Sequence, residues 1–215
     1  MKIAINFLVV GAFFLAACGG DNKKTRDNNA GDGKNPDESC TYLYDDNGTE
    51  VNWTAYKFTE AVGVKGKFKE IRITDTEEAN NPHQVFRKAS FDIPISSISS
   101  GDTSRDRKIR QYFFGTLSNT ASITGTVKSL DAEKAKAVIN LKLNNIERPV
   151  EMNYTMSGDT LMLDGFIRLE NWKAENGIQR LNEECKALHT GADGKSFLSP
   201  EVTLAIRSVL KRKCD

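Results

Sequence analysis

Apolar and polar residues alternate along most of this sequence from residue 51 onward, and this period constrains the fold more than any other feature. Ile139, Leu141 and Leu143, for example, are separated by single polar residues. Successive side chains of a strand point to opposite faces, so such a segment has one apolar and one polar face. The same pattern occurs in segments 51–58, 62–68, 89–96, 123–128, 151–156, 161–168 and 202–207. The sequence therefore predicts about eight half-buried strands.

Turn residues separate these segments closely. Ser157-Gly158-Asp159 lies between two alternating segments, and Asn144-Asn145 lies between two others. Strands joined by such short loops are antiparallel. About eight antiparallel strands with one apolar face can close into a barrel with a small interior. A sandwich of two sheets would bury the same residues, and the pattern alone leaves both architectures open.

A first helix is predicted within residues 96–115. Thr103 is a good N-cap, and Asp106 three residues later completes a capping box. Ile109 and Phe113 share one face of this helix, with Phe114 beside them. Because so short a helix is marginal alone, we expect its aromatic end to dock on the sheet and cap one end of the barrel.

A second helical segment, residues 174–189, precedes the last strand. Ile178, Leu181, Cys185 and Leu188 recur at helical spacing. The segment is either a surface helix packed against the barrel or a lid over its mouth. Both interpretations bury the same residues, and we favour the surface helix.

The N-terminal residues are predicted to be processed rather than folded. Residues 1–17 form a short apolar run after a basic residue, as in a secretory signal peptide, and Cys18 follows Leu-Ala-Ala as in a bacterial lipobox. We expect Cys18 to be acylated and residues 18–39, which are polar, to form a disordered tether. This predicts anchoring in the bacterial cell envelope. Gly19, in place of aspartate, favours the outer membrane. The folded domain is predicted to be 40–215.

Charge and motifs exclude several classes of function. The formal net charge is +1, so the chain lacks the basic excess typical of nucleic-acid binding, and no nucleic-acid partner is expected. The sequence contains no nucleotide-binding loop, nucleophile elbow or zincin motif. We predict no catalytic residue and no metal site.

Two groups of residues have alternative interpretations. Cys185 and His189 are four apart on one helical face and could form a thiolate–imidazole pair of a thiol-dependent enzyme. We favour a buried cysteine beside a polar histidine at a helix end. The charged run 105–110 could receive a lipid phosphate or a partner, but we interpret it as the solvated face of the first helix.

Several segments, taken together and in this order, resemble the YceI-like family. Residues 96–115 contain a strand ending in Ser-Ile, an Arg-Asp pair and a helix ending in Phe-Phe. Residues 139–152 contain Glu-Arg-Pro-Val between two strands, and residues 53–58 and 66–69 fit an opening hairpin. The resemblance extends from about residue 40 to the C-terminus. It implies a lipocalin-like barrel that binds a long isoprenoid lipid or isoprenoid quinone, without a further cofactor and without catalysis.

The resemblance turns the inward-facing residues into candidate ligand-binding residues. They occupy alternating positions on separate strands, together with the aromatic end of the first helix. The predicted set is Val64, Phe68, Phe91, Ile93, Ile95, Ile109, Phe113, Phe114, Ile123, Val127, Ile139, Leu141, Leu143, Met152, Tyr154, Leu161, Leu163, Ile167, Val202, Leu204 and Ile206. The alternative is a solid barrel, filled by these side chains, that serves as an interaction scaffold.

A disulfide follows from barrel closure. In a closed antiparallel barrel the first and last strands are neighbours, and the start of one lies beside the end of the other. Cys40 precedes the first strand and Cys214 follows the last. We therefore predict a Cys40–Cys214 disulfide and a free, buried Cys185.

Overall fold

The structure is a computed structural model that describes residues 40–214. The predicted signal peptide, the acylated Cys18 and the tether lie outside the described residues. The described part contains twelve strands and three α-helices. The strands are β1 (Cys40–Leu43), β2 (Thr49–Lys57), β3 (Val62–Phe68), β4 (Arg72–Thr74), β5 (Ser90–Pro94), β6 (Ile98–Ser99), β7 (Ser122–Asp131), β8 (Lys136–Leu143), β9 (Ile146–Ser157), β10 (Thr160–Arg168), β11 (Leu198–Val209) and β12 (Lys211–Cys214). The helices are α1 (Thr103–Lys108), α2 (Glu175–Glu184) and α3 (Lys186–His189).

Ten strands form one curled antiparallel sheet, in the order β4-β5-β7-β8-β9-β10-β11-β2-β3-β6. The all-β, antiparallel, lipocalin-like fold is thus confirmed, with more strands than the eight expected. The additional sheet strands are β4 and β6, at the two edges, which have only 3 and 2 residues. Segments this short show no alternation that a sequence pattern could reveal.

The sheet curls into a half-barrel whose two edge strands do not pair with each other. Instead, the chain itself crosses the gap, because β5 runs through a 3-10 turn, Ile95–Ser97, directly into β6. The amide of Lys69, just after β3, donates to the carbonyl of Ser97 at 3.0 Å, and the amide of Ile95 donates to the carbonyl of Ala121, just before β7, at 3.0 Å. Backbone hydrogen bonds therefore hold the two ends of this turn to strands on either side of the gap.

The alternation places one face of each strand inside. On β8, Ile139, Leu141 and Leu143 are buried, whereas Lys142 is exposed. On β2, Trp53 lies opposite Gly66 of β3, and a Cβ at Gly66 would lie 2.1 Å from Cζ2 of the indole. A glycine at this position is therefore what lets the Trp53 ring lie across β3.

Helix α1 and the residues after it cover one end of the sheet. The N-cap is Asp102 rather than the predicted Thr103, since Asp102 Oδ1 accepts from the amides of Ser104 and Arg105 at 2.9 and 3.1 Å. Asp106 does not close a capping box. Its buried carboxylate accepts from the amide and hydroxyl of Ser100 at 2.7 and 2.6 Å. Asp106 thus ties α1 to the residue after β6.

The insert before the last long strand is helical, as predicted, but it consists of two helices that meet at Cys185. Ile178 and Leu181 of α2 pack against the core. Gly177 allows a close approach, because a Cβ there would lie 2.8 Å from Cδ2 of Phe113. Helix α2 therefore covers the same end of the sheet as the aromatic residues that follow α1. We call this the helical end.

The opposite end, which we call the closed end, is crossed by β1, β12 and the segment 75–89. Strands β1 and β12 pair, and Cys40 and Cys214 form the predicted disulfide. Tyr42 and Ala79 exchange two backbone hydrogen bonds of 2.8 and 3.1 Å. Val85 of the same segment is fully buried. This end is therefore held by backbone pairing and by a covalent bond.

Candidate ligand cavity

The half-barrel encloses a cavity of about 130 Å³ next to the closed end, which we call the inner cavity. Its walls come from most strands of the sheet and from Phe86 and Ala89 of the segment that covers the closed end. Only Thr49 and Ser208 carry hydroxyls among its lining residues, and they hydrogen bond to each other at 2.7 Å. The inner cavity therefore offers an apolar ligand no unpaired polar side chain.

A second cavity of about 130 Å³, the outer cavity, lies at the helical end. Phe113, Phe114, Ile178 and Leu181 contribute to its walls together with residues of the sheet. The two cavities share four lining residues, Phe68, Ile123, Ile167 and Leu204. They are thus neighbours along one apolar interior. Strand β10, with 9 residues, spans roughly 30 Å of that interior.

A third cavity of about 250 Å³, which we call the mouth, lies beside the outer cavity between β2, β3 and the three helices. Mouth and outer cavity share Trp53, Ala55, Ile109, Leu181 and Leu198. Unlike the other two, the mouth also has charged lining residues: Lys57, Asp102, Arg105 and Lys108. The interior therefore changes from apolar to charged toward the helical end.

The comparison with protein families decides which family the chain represents. Residues 42–210 match the family described as YceI-like domain. The chain belongs to the YceI-like domain family. This match confirms the resemblance that the sequence motifs indicated.

Solved structures show the same fold at low identity. A polyisoprenoid binding domain from Saccharophagus degradans aligns with a TM-score of 0.56 and 17% identity, covering 82% of this chain and 99% of that one. BcnA from Burkholderia cenocepacia aligns with a TM-score of 0.52 and 15% identity, covering 79% and 99% of the two chains. No curated protein matches the chain. At these identities, the structural likeness supports the fold of this YceI-like domain.

The cavities of the YceI-like domain gather nearly all of the predicted ligand-binding residues. All of them except Val64, Ile95 and Tyr154 line the inner or the outer cavity. Val64 instead lines the mouth, and Ile95 is buried in the 3-10 turn between β5 and β6. Tyr154 is 2% exposed, and its hydroxyl hydrogen bonds to Nδ1 of His83.

Tyr154 belongs to the closed end rather than to the cavity wall. His83 lies in the segment that covers this end, so the bond ties that segment to β9. Burial raises the pKa of the Tyr154 hydroxyl to about 12. The hydroxyl is therefore protonated at neutral pH and available as a donor to His83.

Some lining residues were missed by the sequence analysis. Val51, Trp53 and Ala55 of β2 and Val150 of β9 alternate with polar neighbours, so their parity could have identified them. Ala89 begins the alternating segment 89–96, so its parity could also have identified it. Phe86 lies in a segment without strand periodicity, as do the residues around β4. No period in the sequence could have placed that second group in the wall.

The imidazole of His189 bonds to Asn182 rather than to the thiol of Cys185. Cys185 is free and buried, as predicted, and burial raises the pKa of its thiol. His189 Nδ1 donates to Asn182 Oδ1 at 3.0 Å, and burial lowers the pKa of its imidazole. A nucleophilic thiolate needs the opposite shift of the thiol pKa. The geometry thus favours the buried cysteine and polar histidine.

The charged run after Asp102 is only partly a solvated face. Arg107 is exposed, but Asp106 is buried, and Arg105 and Lys108 line the mouth. Within residues 40–214, no group of three or more side chains has the ligand types and proximity for a metal ion. The helices of that region are also too short or too polar to cross a membrane.

Proposed function

We propose that this protein binds a long apolar ligand of the isoprenoid type, a polyisoprenoid lipid or an isoprenoid quinone, in its inner and outer cavities. The observation that carries the proposal is the pair of adjacent apolar cavities that together run from the closed end to the helical end. Transfer of apolar surface from water would drive binding, at about 25 cal/mol per Å². The protein would sequester or carry its ligand, with no catalysis and no other cofactor.

The name of one structural neighbour supports this choice of ligand, since that neighbour is a polyisoprenoid binding domain. An apolar interior also suits such a chain better than it suits a ligand with many polar groups. A polar group buried there without a partner would cost roughly 1–3 kcal/mol. The alternative of a solid scaffold has no comparable support, because it leaves both cavities without a role.

Leu141→Gln tests the proposal at the wall of the inner cavity. Leu141 is 8% exposed, so the new amide would be buried against the ligand. The full-length protein should carry extractable lipid, detected by native mass spectrometry followed by organic extraction. Leu141→Gln should lose that lipid and about 1–3 kcal/mol of unfolding free energy.

Lys142→Gln is the matched control, because the neighbouring side chain is exposed on the outer face. It should retain both the lipid and the stability of the parent protein. A parent protein that holds no lipid and takes up no added isoprenoid quinone would contradict the proposal and favour the solid scaffold.

We further propose that the protein is anchored in the bacterial envelope, in the outer membrane, through an acylated Cys18. Two or more acyl chains anchor a protein stably, at about 0.8 kcal/mol for each buried CH₂. Cys18→Ser should move the protein from the membrane fraction into a soluble fraction or block its processing. Unchanged fractionation of this variant would contradict the anchor.

A further inference from the structure

The volume of the interior limits how much of an apolar chain it can enclose. The inner and outer cavities each measure about 130 Å³, and the mouth measures about 250 Å³. A dry protein cavity of about 150 Å³ takes one benzene molecule, which is close in size to one isoprene unit. By this measure the two apolar cavities hold about one isoprene unit each, and the mouth holds about two more. The interior therefore encloses about four units, and the rest of a longer chain would stay in water.

Phe86 lies between the inner cavity and the closed end. It belongs to the segment 75–89 that covers this end, and it lines the inner cavity but neither the outer cavity nor the mouth. The side chain is 5% exposed, and its ring packs edge-on against the ring of Tyr44, with 5.8 Å between the centroids. A chain that enters from the helical end would therefore meet this ring with its tip.

Backbone hydrogen bonds hold the residues on both sides of Phe86. The amide of Glu77 donates to the carbonyl of Val85 at 3.0 Å, and the amide of Ala89 donates to the carbonyl of Phe86 at 3.1 Å. The carbonyl of Ala89 in turn accepts from the amide of Val127 of β7 at 2.8 Å. Phe86 would have to break these bonds to move away with its segment, so this wall of the inner cavity is fixed.

We propose that Phe86 is a specificity-determining residue that stops the tip of the bound chain and so limits the enclosed part to about four isoprene units. The preferred ligand has a prenyl chain of geranylgeranyl length, and a longer polyprenyl chain binds no more tightly. An isoprene unit that moves from water into the interior strengthens binding, whereas a unit that remains in water does not. This inference rests on the proposed function and selects one class of chain within it.

The experiment measures how affinity depends on chain length, with lipid-depleted, full-length protein. The probes are geraniol, farnesol, geranylgeraniol and geranylfarnesol, each one isoprene unit longer than the one before. Their dissociation constants are measured by native mass spectrometry and by quenching of intrinsic tryptophan fluorescence. We expect each unit up to geranylgeraniol to tighten binding by at least about tenfold. Geranylfarnesol should bind no more tightly than geranylgeraniol.

Two variants should move this limit in opposite directions. Phe86→Ala removes a benzene ring from the end of the inner cavity and frees room for about one more unit, so its affinity should still rise from geranylgeraniol to geranylfarnesol. Ala89 lines the same cavity and is 2% exposed, so Ala89→Leu should take up space there and end the rise at farnesol. Melting temperature and affinity for geraniol report whether each variant is folded. Because the two changes are independent, failure of one variant to fold leaves the other as a test.

Phe91→Ala is the matched control, because it makes the same substitution in the same cavity at a different wall. Phe91 of β5 lies opposite Gly125 of β7, and a Cβ at Gly125 would lie 2.5 Å from Cζ of the Phe91 ring. The ring therefore lies along the side of the sheet. Phe91→Ala should widen the cavity without lengthening it. It should change the affinities for all four alcohols in the same direction and leave the limit at geranylgeraniol.

The results that would overturn the inference differ from the result that would remove the proposed function. An affinity that rises in the parent protein from geranylgeraniol to geranylfarnesol as steeply as before would show that the closed end sets no limit. A limit that stays at geranylgeraniol in folded Phe86→Ala, or that moves equally in Phe91→Ala, would show that Phe86 does not set it. In these cases the cavities would still bind prenyl chains. Absence of binding by all four alcohols would reject the proposed function itself.

Discussion

The two ends of the half-barrel are closed in different ways. At the closed end, β1 pairs with β12, a disulfide joins residues 174 positions apart, and the Tyr154 hydroxyl bonds to His83. At the helical end, α1 and α3 have only 6 and 4 residues, and charged side chains line a mouth. The closed end is therefore held by contacts between residues far apart in sequence, whereas the helical end is covered by short helices.

This difference bears on where the proposed ligand would enter. Short helices depend on packing for their stability, and segments with few buried contacts open at lower free energy than the core of a sheet. Leu188 of α3 is 60% exposed, so part of the cover at the helical end has little apolar packing to hold it. The closed end would have to break strand pairing and a covalent bond to open. The ligand proposed above would therefore exchange through the helical end.

The largest expected effect tests the closed end. Removing the disulfide with Cys40→Ser/Cys214→Ser should lower the unfolding free energy by at most about 4–5 kcal/mol, because the bond closes a very long loop in the unfolded chain. Urea denaturation of the two proteins measures the loss. If the comparison of the two ends holds, the variant should still carry extractable lipid whenever it is folded.

Cys185→Ala provides the control for cysteine removal at the helical end. Reductant should shift the urea midpoint of Cys185→Ala as much as it shifts that of the parent, since Cys185 is outside the disulfide. Non-reducing peptide mapping that linked Cys185 to Cys40 or Cys214 would contradict the pairing on which the comparison rests.

The strand faces and the disulfide could be predicted because each depends on simple geometry. The alternation of apolar and polar residues predicts which face of β8 is buried. Strands β2 and β11 pair, as the first and last strands of a closed barrel would, and this pairing brings the two ends of the domain together. Neither inference needed the exact strand count. The same alternation also predicts that Val51 and Trp53 of β2 face the interior, where both line a cavity.

The mouth could not be predicted because it depends on tertiary placement. Lys57 and Lys108 are far apart in sequence and lie on different elements, and each alone looks like an ordinary solvated lysine. The N-cap of α1 shows a smaller ambiguity, since Asp102 and Thr103 are adjacent residues that both favour this position. A sequence pattern predicts strand and helix periodicity and local preferences, but it does not predict which charged side chains line the same cavity.

The smallest expected effect concerns pH and is confined to the helical end. The folded-state pKa of His189 is lowered first by burial and then by the positive charges of Lys57 and Lys108. Because the pKa is lowered by folding, the unfolded chain binds the proton more readily than the folded chain does. The stability linked to His189 is therefore present above pH 6.5 and is lost as the pH falls through the folded-state pKa.

His189→Gln should remove this loss, because glutamine has no proton to bind and can still donate to Asn182. Urea midpoints measured for parent and variant between pH 8 and pH 5 should run parallel above about pH 7 and diverge below it, with the parent losing more. We expect a divergence under about 1 kcal/mol, since the imidazole is only half-buried and solvent screens the lysines. Midpoints that stay parallel down to pH 5 would show that neither burial nor the lysine charges lower the pKa of His189 in the folded protein.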